Sequence, residues 1–286
     1  MIYAPGQVVR EIIRKHQVFF VDLFGVLKTN QGPIPGTAET IREIKEQGKR
    51  VIIVSNTASD PPEDIQGYLK QRGVEFELRD VVTSGMVLEP YFRTSHLVGS
   101  NVFNLGNPEG ANYIQKAGGI VLDHQVVLAS PEEVAAVVVT RHALTRTNNE
   151  LLPTALINAA INILKYGSGV HGVIANPDLT VPQDENSVRI GPGALGAIIE
   201  QCAGKIMAKL GKPYAPIFEL ALSLVPEVPK EQIVMVGDSL EYDVLGASMI
   251  GIHSLLVMSG NTRTEAQITA YPVRPDYIAA AFCLNC

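Results

Sequence analysis

Two carboxylates stand where buried strands would run out. Val18 to Val21 is an unbroken apolar run, and Asp22 follows it. Ile233 to Val236 is a second run, and Asp238 comes two residues after it. Runs of this length mark strands covered on both faces of a parallel sheet. A carboxylate at the carboxyl end of such a strand sits where open α/β sheets bind ligands. There it can attack an electrophile or hold a hard cation. It can equally cap a turn or the next helix. Gly25 lets the backbone turn sharply after Asp22. Between the two carboxylates lie Ser55-Asn56, at the end of the apolar run 51–54, and Gly211-Lys212-Pro213. Asp243 falls five residues after Asp238, in the first turns of the following helix.

In this order, DxxGV at Asp22, the strand ending in Ser55-Asn56, GKP from Gly211 and GDSLEYD from Gly237 to Asp243 resemble the four motifs of the haloacid dehalogenase (HAD) superfamily. The resemblance is specifically to its class IIA branch, the NagD-type and pyridoxal phosphate phosphatases, and it covers most of the chain. The resemblance implies an α/β fold: a three-layer Rossmann-like core with a parallel sheet, plus an inserted α/β cap domain. It implies Asp22 as nucleophile, forming an aspartyl phosphate. It implies Mg²⁺ held by Asp22, the main-chain carbonyl of Phe24 and Asp238; Asp243 could be a further ligand, orient a metal-bound water or cap the following helix. Ser55, Asn56 and Lys212 would bind the phosphoryl oxygens. Asn176 and Asp178, in a stretch similar to the family's TNPD, would face substrate. One departure matters: the family pattern is DxDG, and the second Asp is here Phe24.

Charge balance points the same way. A phosphate dianion facing Asp22, Asp238 and Asp243 would be repelled strongly without cations. Mg²⁺ and Lys212 would supply them. A transition state with charge spread over phosphoryl oxygens needs such donors in place.

The elements that must carry these residues alternate strand and helix, the mark of a parallel sheet with right-handed crossovers. Strands are expected at 18–21, 51–54, 81–82, 233–236 and 255–257. Helices are expected at 8–16, 37–48 with Thr37 as cap, 61–73, 194–210 and 217–225. A second cycle lies between Ser55-Asn56 and Lys212. It has strands at 96–105, 119–122, 135–140 and 172–175, and helices at 108–118 and 148–167. The expected division is core 1–94, cap 95–187 and core 188–286.

The chain has 286 residues, 46% hydrophobic and 18% charged, which suits one large or two medium domains. Its 23 Lys and Arg against 29 Asp and Glu leave a formal charge of -6, with no basic stripe for nucleic acid. No run reaches membrane-spanning length and the N-terminus lacks a signal-peptide pattern, so the expected location is cytoplasmic. The three cysteines, Cys202, Cys283 and Cys286, fit a reducing compartment, and the CxxC pair Cys283 and Cys286, with no further zinc ligands near in sequence, reads as two incidental thiols. Gly167-Ser168-Gly169 has no Lys partner and reads as a turn. The six histidines show no metal-binding spacing. Arg141 and His142 end a strand and would suit an anion, or form an exposed loop pair.

The expected function is a Mg²⁺-dependent phosphatase acting on a small phosphorylated metabolite, weakened by Phe24. The resemblance also leaves a homodimer open. Two alternatives remain. The 2-haloacid dehalogenases place an aromatic residue at the position of Phe24, but they lack a counterpart of Asp238. A catalytically weak phosphate-ligand-binding protein is the other.

Overall fold

The computed structural model describes residues 5–144, 150–183 and 187–285. The chain divides into two compact units. The first takes the residues up to Ser55, Pro62–Val82 and those from Lys212 onward. The second takes Asn56–Pro61 and Thr83–Gly211.

The first unit is built on a six-stranded sheet. Its order is Tyr277–Ala279, His253–Val257, Ile233–Gly237, Val18–Val21, Arg50–Ser55, Val81–Thr83. From Tyr277–Ala279 through Arg50–Ser55, each neighbouring pair is parallel. Every residue of the central strand Val18–Val21 is buried, as its unbroken apolar run requires. On one face Phe19, Val21, Val51 and Val234 join a cluster with Val8, Val9 and Ile12 of helix Pro5–Lys15 and Ile41 and Ile44 of helix Thr37–Glu46. Helix Ala215–Leu222, with buried Ile217 and Phe218, also packs against strand Arg50–Ser55. Thr37 does not cap its helix. Gly36 takes the cap position with φ 79°, and the Thr37 hydroxyl donates to the Ile34 carbonyl at 2.8 Å.

The second unit has its own five-stranded parallel sheet. Its order is Ala208–Lys209, His171–Ile174, Ala136–Val139, Asn101–Leu105, Ile120–Val121. Helices Thr154–Tyr166 and Pro192–Ala203 pack together and bury Leu156, Ala160, Leu195 and Ile199 against Phe103, Val137 and Ile174.

This differs from the expected division at both ends. Residues 83–94 and 188–211 belong to the second unit rather than to a core resuming at 188. An apolar stripe reveals that a helix has a buried face but not which sheet covers it. Close approach settles it for Pro192–Ala203. A Cβ on Gly191 or Gly193 would lie 2.1 Å from the Asp178 carbonyl oxygen or 2.0 Å from that of Pro177, and one on Gly196 would strike Ile174. The expected helix 194–210 stops at Ala203, where Gly204 turns left-handed with φ 67°, and Ala208–Lys209 is an edge strand instead. The expected strand 96–105 begins only at Asn101, because His96 and Gly99 turn with φ 56° and 80°. Helix Leu88–Thr94 went unread in the sequence. Residues 148–149, the expected start of the next helix, lie outside the described residues; the helix runs Thr154–Tyr166 after Pro153.

Cys283 is buried and disulfide-bonded, which corrects its reading as an incidental thiol. Cys202 is free and exposed, and Cys286 lies outside the described residues. Among the described residues, no helix is long and apolar enough to cross a membrane.

Truncation of Ile199 tests where its helix belongs. Ile199→Ala should destabilise the second unit by about 2–5 kcal/mol, the usual cost of such a core cavity. Hydrogen exchange should report the loss in strands Ala136–Val139 and His171–Ile174. Loss confined to the first unit's sheet would contradict the assignment.

Candidate active site

Register delivers the site. Val21 pairs with Val236 on one side and Ile53 on the other. Asp22, Asp238 and Ser55 therefore leave the same edge of the sheet, from three adjacent strands. The Asp22 amide still donates to the Val236 carbonyl at 2.9 Å, so this carboxylate is fixed by the sheet itself.

Carboxylate oxygens of Asp22, Asp238 and Asp243 lie within 4.8 Å of one another. Lys212, only 2% exposed, reaches Asp22 Oδ1 at 2.8 Å and Asp243 Oδ1 at 2.7 Å. The other Asp243 oxygen accepts from the Ser239 amide at 3.1 Å. Asp243 therefore serves chiefly to hold Lys212 and the turn after the strand. That turn is a wide π-type turn at Leu240–Val244, capped by the Ser239 hydroxyl, which accepts from the Tyr242 amide. Gly237 makes room for it, since a Cβ there would lie 2.1 Å from the Asp243 carboxyl carbon.

Asp238 is enclosed by backbone. Its Oδ2 accepts from the Asn261 amide at 2.6 Å, and its carbonyl accepts from the Thr262 amide at 3.0 Å. A Cβ on Gly25 or Gly260 would fall 2.0 or 1.8 Å from Oδ2. The Ser259 hydroxyl donates to the Gly25 carbonyl at 2.6 Å, closing the loop over the first motif. Sequence reasoning missed Ser259, Gly260 and Asn261. A Ser-Gly-Asn-Thr run announces a turn, but nothing in it tells what the turn wraps.

Electrostatics make the cluster costly as it stands. Burial pushes Asp22 up to about 7, although Lys212 pulls it down; Asp243 adds to the rise. Burial, then Asp243 and Asp22, push Asp238 well above its ordinary value. Burial opposes charge on Lys212, but attraction to Asp22 and Asp243 outweighs it and raises its pKa. Three carboxylates against one ammonium leave an excess of negative charge in a desolvated site. All donors are hard oxygens. The set fits a small divalent cation.

The remaining expected residues are placed as follows. Ser55 is buried at its strand end. Phe24 is 40% exposed, with the Lys28 ammonium 4.4 Å from its ring centroid. Asn56, Asn176 and Asp178 lie together in the second unit. Asn56 Nδ2 donates to Asp178 Oδ1 at 2.7 Å, and the Asp178 amide donates to Asn176 Oδ1 at 2.9 Å.

A family model for haloacid dehalogenase-like hydrolases matches residues 19–120, and one for HAD-hydrolase-like proteins matches 209–283. The dihydroxyacetone phosphatase of Corynebacterium glutamicum (strain R) is 25% identical over 260 residues, covering 91% of this chain and 87% of that one. The crystal structure of a possible sugar phosphatase of the HAD superfamily from Cytophaga hutchinsonii superposes with a TM-score of 0.85 at 28% identity, over 100% of this chain and 99% of the other. NagD from E. coli K-12 shares the fold with a TM-score of 0.76 at 23% identity, over 95% of this chain and 97% of the other. The chain belongs to the HAD superfamily of hydrolases. Within it, the phosphatase relatives support class IIA.

The raised pKa of Asp22 fixes the sign of a pH effect. A carboxyl whose folded pKa exceeds its unfolded value of roughly 4 stabilises the fold while protonated. Its contribution is full below about 4 and lost as pH rises through about 7. Asp238 acts in the same direction. The metal-free protein should therefore lose this contribution between those pH values, and Asp22→Asn should flatten that part of the thermal-midpoint profile. An unchanged slope in the variant would show that Asp22 is not the group involved.

Proposed function

We propose that this chain is a Mg²⁺-dependent phosphohydrolase acting on a small phosphorylated metabolite through an aspartyl phosphate at Asp22. One observation carries the reading: a strand-end carboxylate held at 2.8 Å by a buried lysine, beside a second carboxylate that accepts from the Asn261 backbone amide. The phosphatases among its relatives agree with it.

Asp22, Asp238 and the Phe24 carbonyl would hold the ion, with Asp243 behind them. Bound Mg²⁺ would offset the charge of the carboxylates and of the phosphoryl group. An Asp22 oxygen attacks phosphorus, and the bond from phosphorus to the leaving oxygen breaks. Water then attacks phosphorus, returning the Asp22 carboxylate and releasing phosphate. Lys212 keeps Asp22 oriented and supplies positive charge throughout. Ser55 and Asn56 bind phosphoryl oxygens. We read the inserted second unit as the family's cap, with Asn176 and Asp178 as its candidates for substrate recognition.

Phe24 carries no proton to give or take. Leaving-group protonation and water activation, typically worth about 10²–10⁴ in rate, lack their usual residue. Alkyl phosphates should turn over slowly, and aryl phosphates should give an initial burst as water attack becomes limiting. Phe24→Asp should raise turnover on alkyl phosphates. Brisk alkyl hydrolysis by the native protein, or no gain from a folded variant, would mean that another group supplies the proton.

Asp22→Asn should abolish turnover while the fold and Mg²⁺-dependent stabilisation persist in part. Asp238→Asn should weaken Mg²⁺ at least about tenfold, as losses at metal sites commonly do. Gly260→Ala should weaken it too, because the added Cβ meets Asp238 Oδ2. Calorimetric Mg²⁺ titration reads both, and unchanged affinity in Asp238→Asn would remove the proposed metal site.

A further inference from the structure

One buried imidazole of the first unit has no part in the chemistry above. His16 follows helix Pro5–Lys15 and is fully buried. Both of its ring nitrogens are engaged. Nδ1 lies 2.9 Å from the Ile12 carbonyl oxygen, and Nε2 lies 3.1 Å from Nδ1 of the half-buried His253. All these residues belong to the first unit.

Donors and acceptors limit what this pair can hold. A carbonyl only accepts, so His16 Nδ1 carries a hydrogen. Nε2 of a neutral His16 is then a lone pair, and the hydrogen between the rings comes from His253 Nδ1. One added proton leaves the contact intact, because one of the two facing nitrogens still accepts. With both rings charged, all four nitrogens carry hydrogens. Nε2–H would then face Nδ1–H across 3.1 Å with no acceptor between them. The rings therefore share one proton and refuse a second while they stay together, titrating as a pair.

The surroundings add to that refusal. The Lys49 ammonium donates to the His16 carbonyl at 2.6 Å and to the Ile13 carbonyl. Lys15, the preceding residue, lies 5.5 Å from the Tyr277 ring centroid and pairs with Glu11 at 2.6 Å. Tyr277 packs edge-on against both imidazoles, with centroids 5.9 and 6.3 Å away. Beside His253, the Asp276 carboxylate accepts from the Ser254 amide at 2.8 Å and from its hydroxyl at 3.0 Å. Burial holds the His16 pKa below its ordinary value. The Ile12 carbonyl works against this, and His253, Lys15 and Lys49 add to the lowering.

The contact ties the end of helix Pro5–Lys15 to strand His253–Val257, and the same helix packs against the edge strand Tyr277–Ala279. We propose that His16 and His253 form an acid-operated joint: it stays closed with no more than one proton on the pair, and a second proton releases helix Pro5–Lys15 from these two strands. The joint stands apart from the phosphatase reading.

Once the helix is released, each imidazole titrates near its ordinary value of about 6.5. The released state then binds more protons than the closed one. The joint's contribution is therefore full above about 6.5 and is lost as pH falls below it, toward the depressed His16 value. The Asp22 and Asp238 carboxyls act in the opposite direction and cannot mimic this.

Hydrogen exchange on the full chain reads the opening. Corrected for the pH dependence of exchange itself, the opening constant of the helix Pro5–Lys15 amides should rise below about pH 6.5. The rise should be up to about tenfold per pH unit, the limit for one extra proton. His16→Gln should remove that slope, whereas loss of packing alone would shift every pH value alike. Should this variant fold poorly, His253→Asn serves in its place. Its amide donates to neutral His16 or, turned over, accepts from the charged ring, so the slope should shrink. Long-range ¹H–¹⁵N spectra of the native protein, recorded about one to two pH units above the ordinary imidazole value, should show the hydrogen on Nδ1 of both rings. An Nε2–H tautomer for His16, or an undiminished slope in either folded variant, overturns the joint. None of these readings depends on turnover, so failure of the phosphatase reading would leave them standing.

Discussion

The first unit's site depends on one buried contact: the Lys212 ammonium between Asp22 and Asp243. A lysine so deeply buried persists as a cation only where carboxylates more than repay its lost hydration. The carboxylates depend on it equally. Asp22 lies at the end of a strand walled by apolar side chains, and burial alone would keep it protonated. Three acids and one base do not balance, and that imbalance makes the cluster receptive to a divalent cation.

Backbone does as much as charge. Asp238 is reached by two main-chain amides from the 259–262 loop, one to its carboxylate and one to its carbonyl. Gly25 and Gly260 border its carboxylate so closely that no other residue fits without displacement. Gly25 also adopts φ 77°, which L side chains rarely tolerate. The first motif, the GDSLEYD turn and the 259–262 loop are thus packed as one body, and sites held this way lose little energy to reorganisation during reaction.

Phe24 sits in this frame without its chemistry. The chain here keeps the turn, with Gly25, the Gly25–Lys28 hydrogen bond and the ring beneath Lys28. The family resemblance implies a titratable group at this position, and phenylalanine has none. The fold and the charge cluster therefore do not depend on the side chain at position 24, while proton transfer would. On the proposed mechanism, hydrolysis of activated esters and of alkyl esters would then diverge.

The sequence alone determined the parallel core, its buried strands and the four polar stretches at their ends. Apolar runs and strand–helix alternation are local patterns, and they reflect burial directly. Asp22, Lys212, Asp238 and Asp243 were legible for that reason and through their order. Only tertiary structure decided that Lys212 joins Asp22 to Asp243, because contacts over 190 and 31 positions leave no local trace. It alone assigned helix Pro192–Ala203 to the second sheet, through close approaches at three glycines. It placed the 259–262 loop around Asp238, where a turn-forming run could have faced anything. It also buried His142, though Arg-His at a strand end reads as an exposed pair. Periodicity records which side of an element is covered, and the covering partner is chosen by packing across the whole chain.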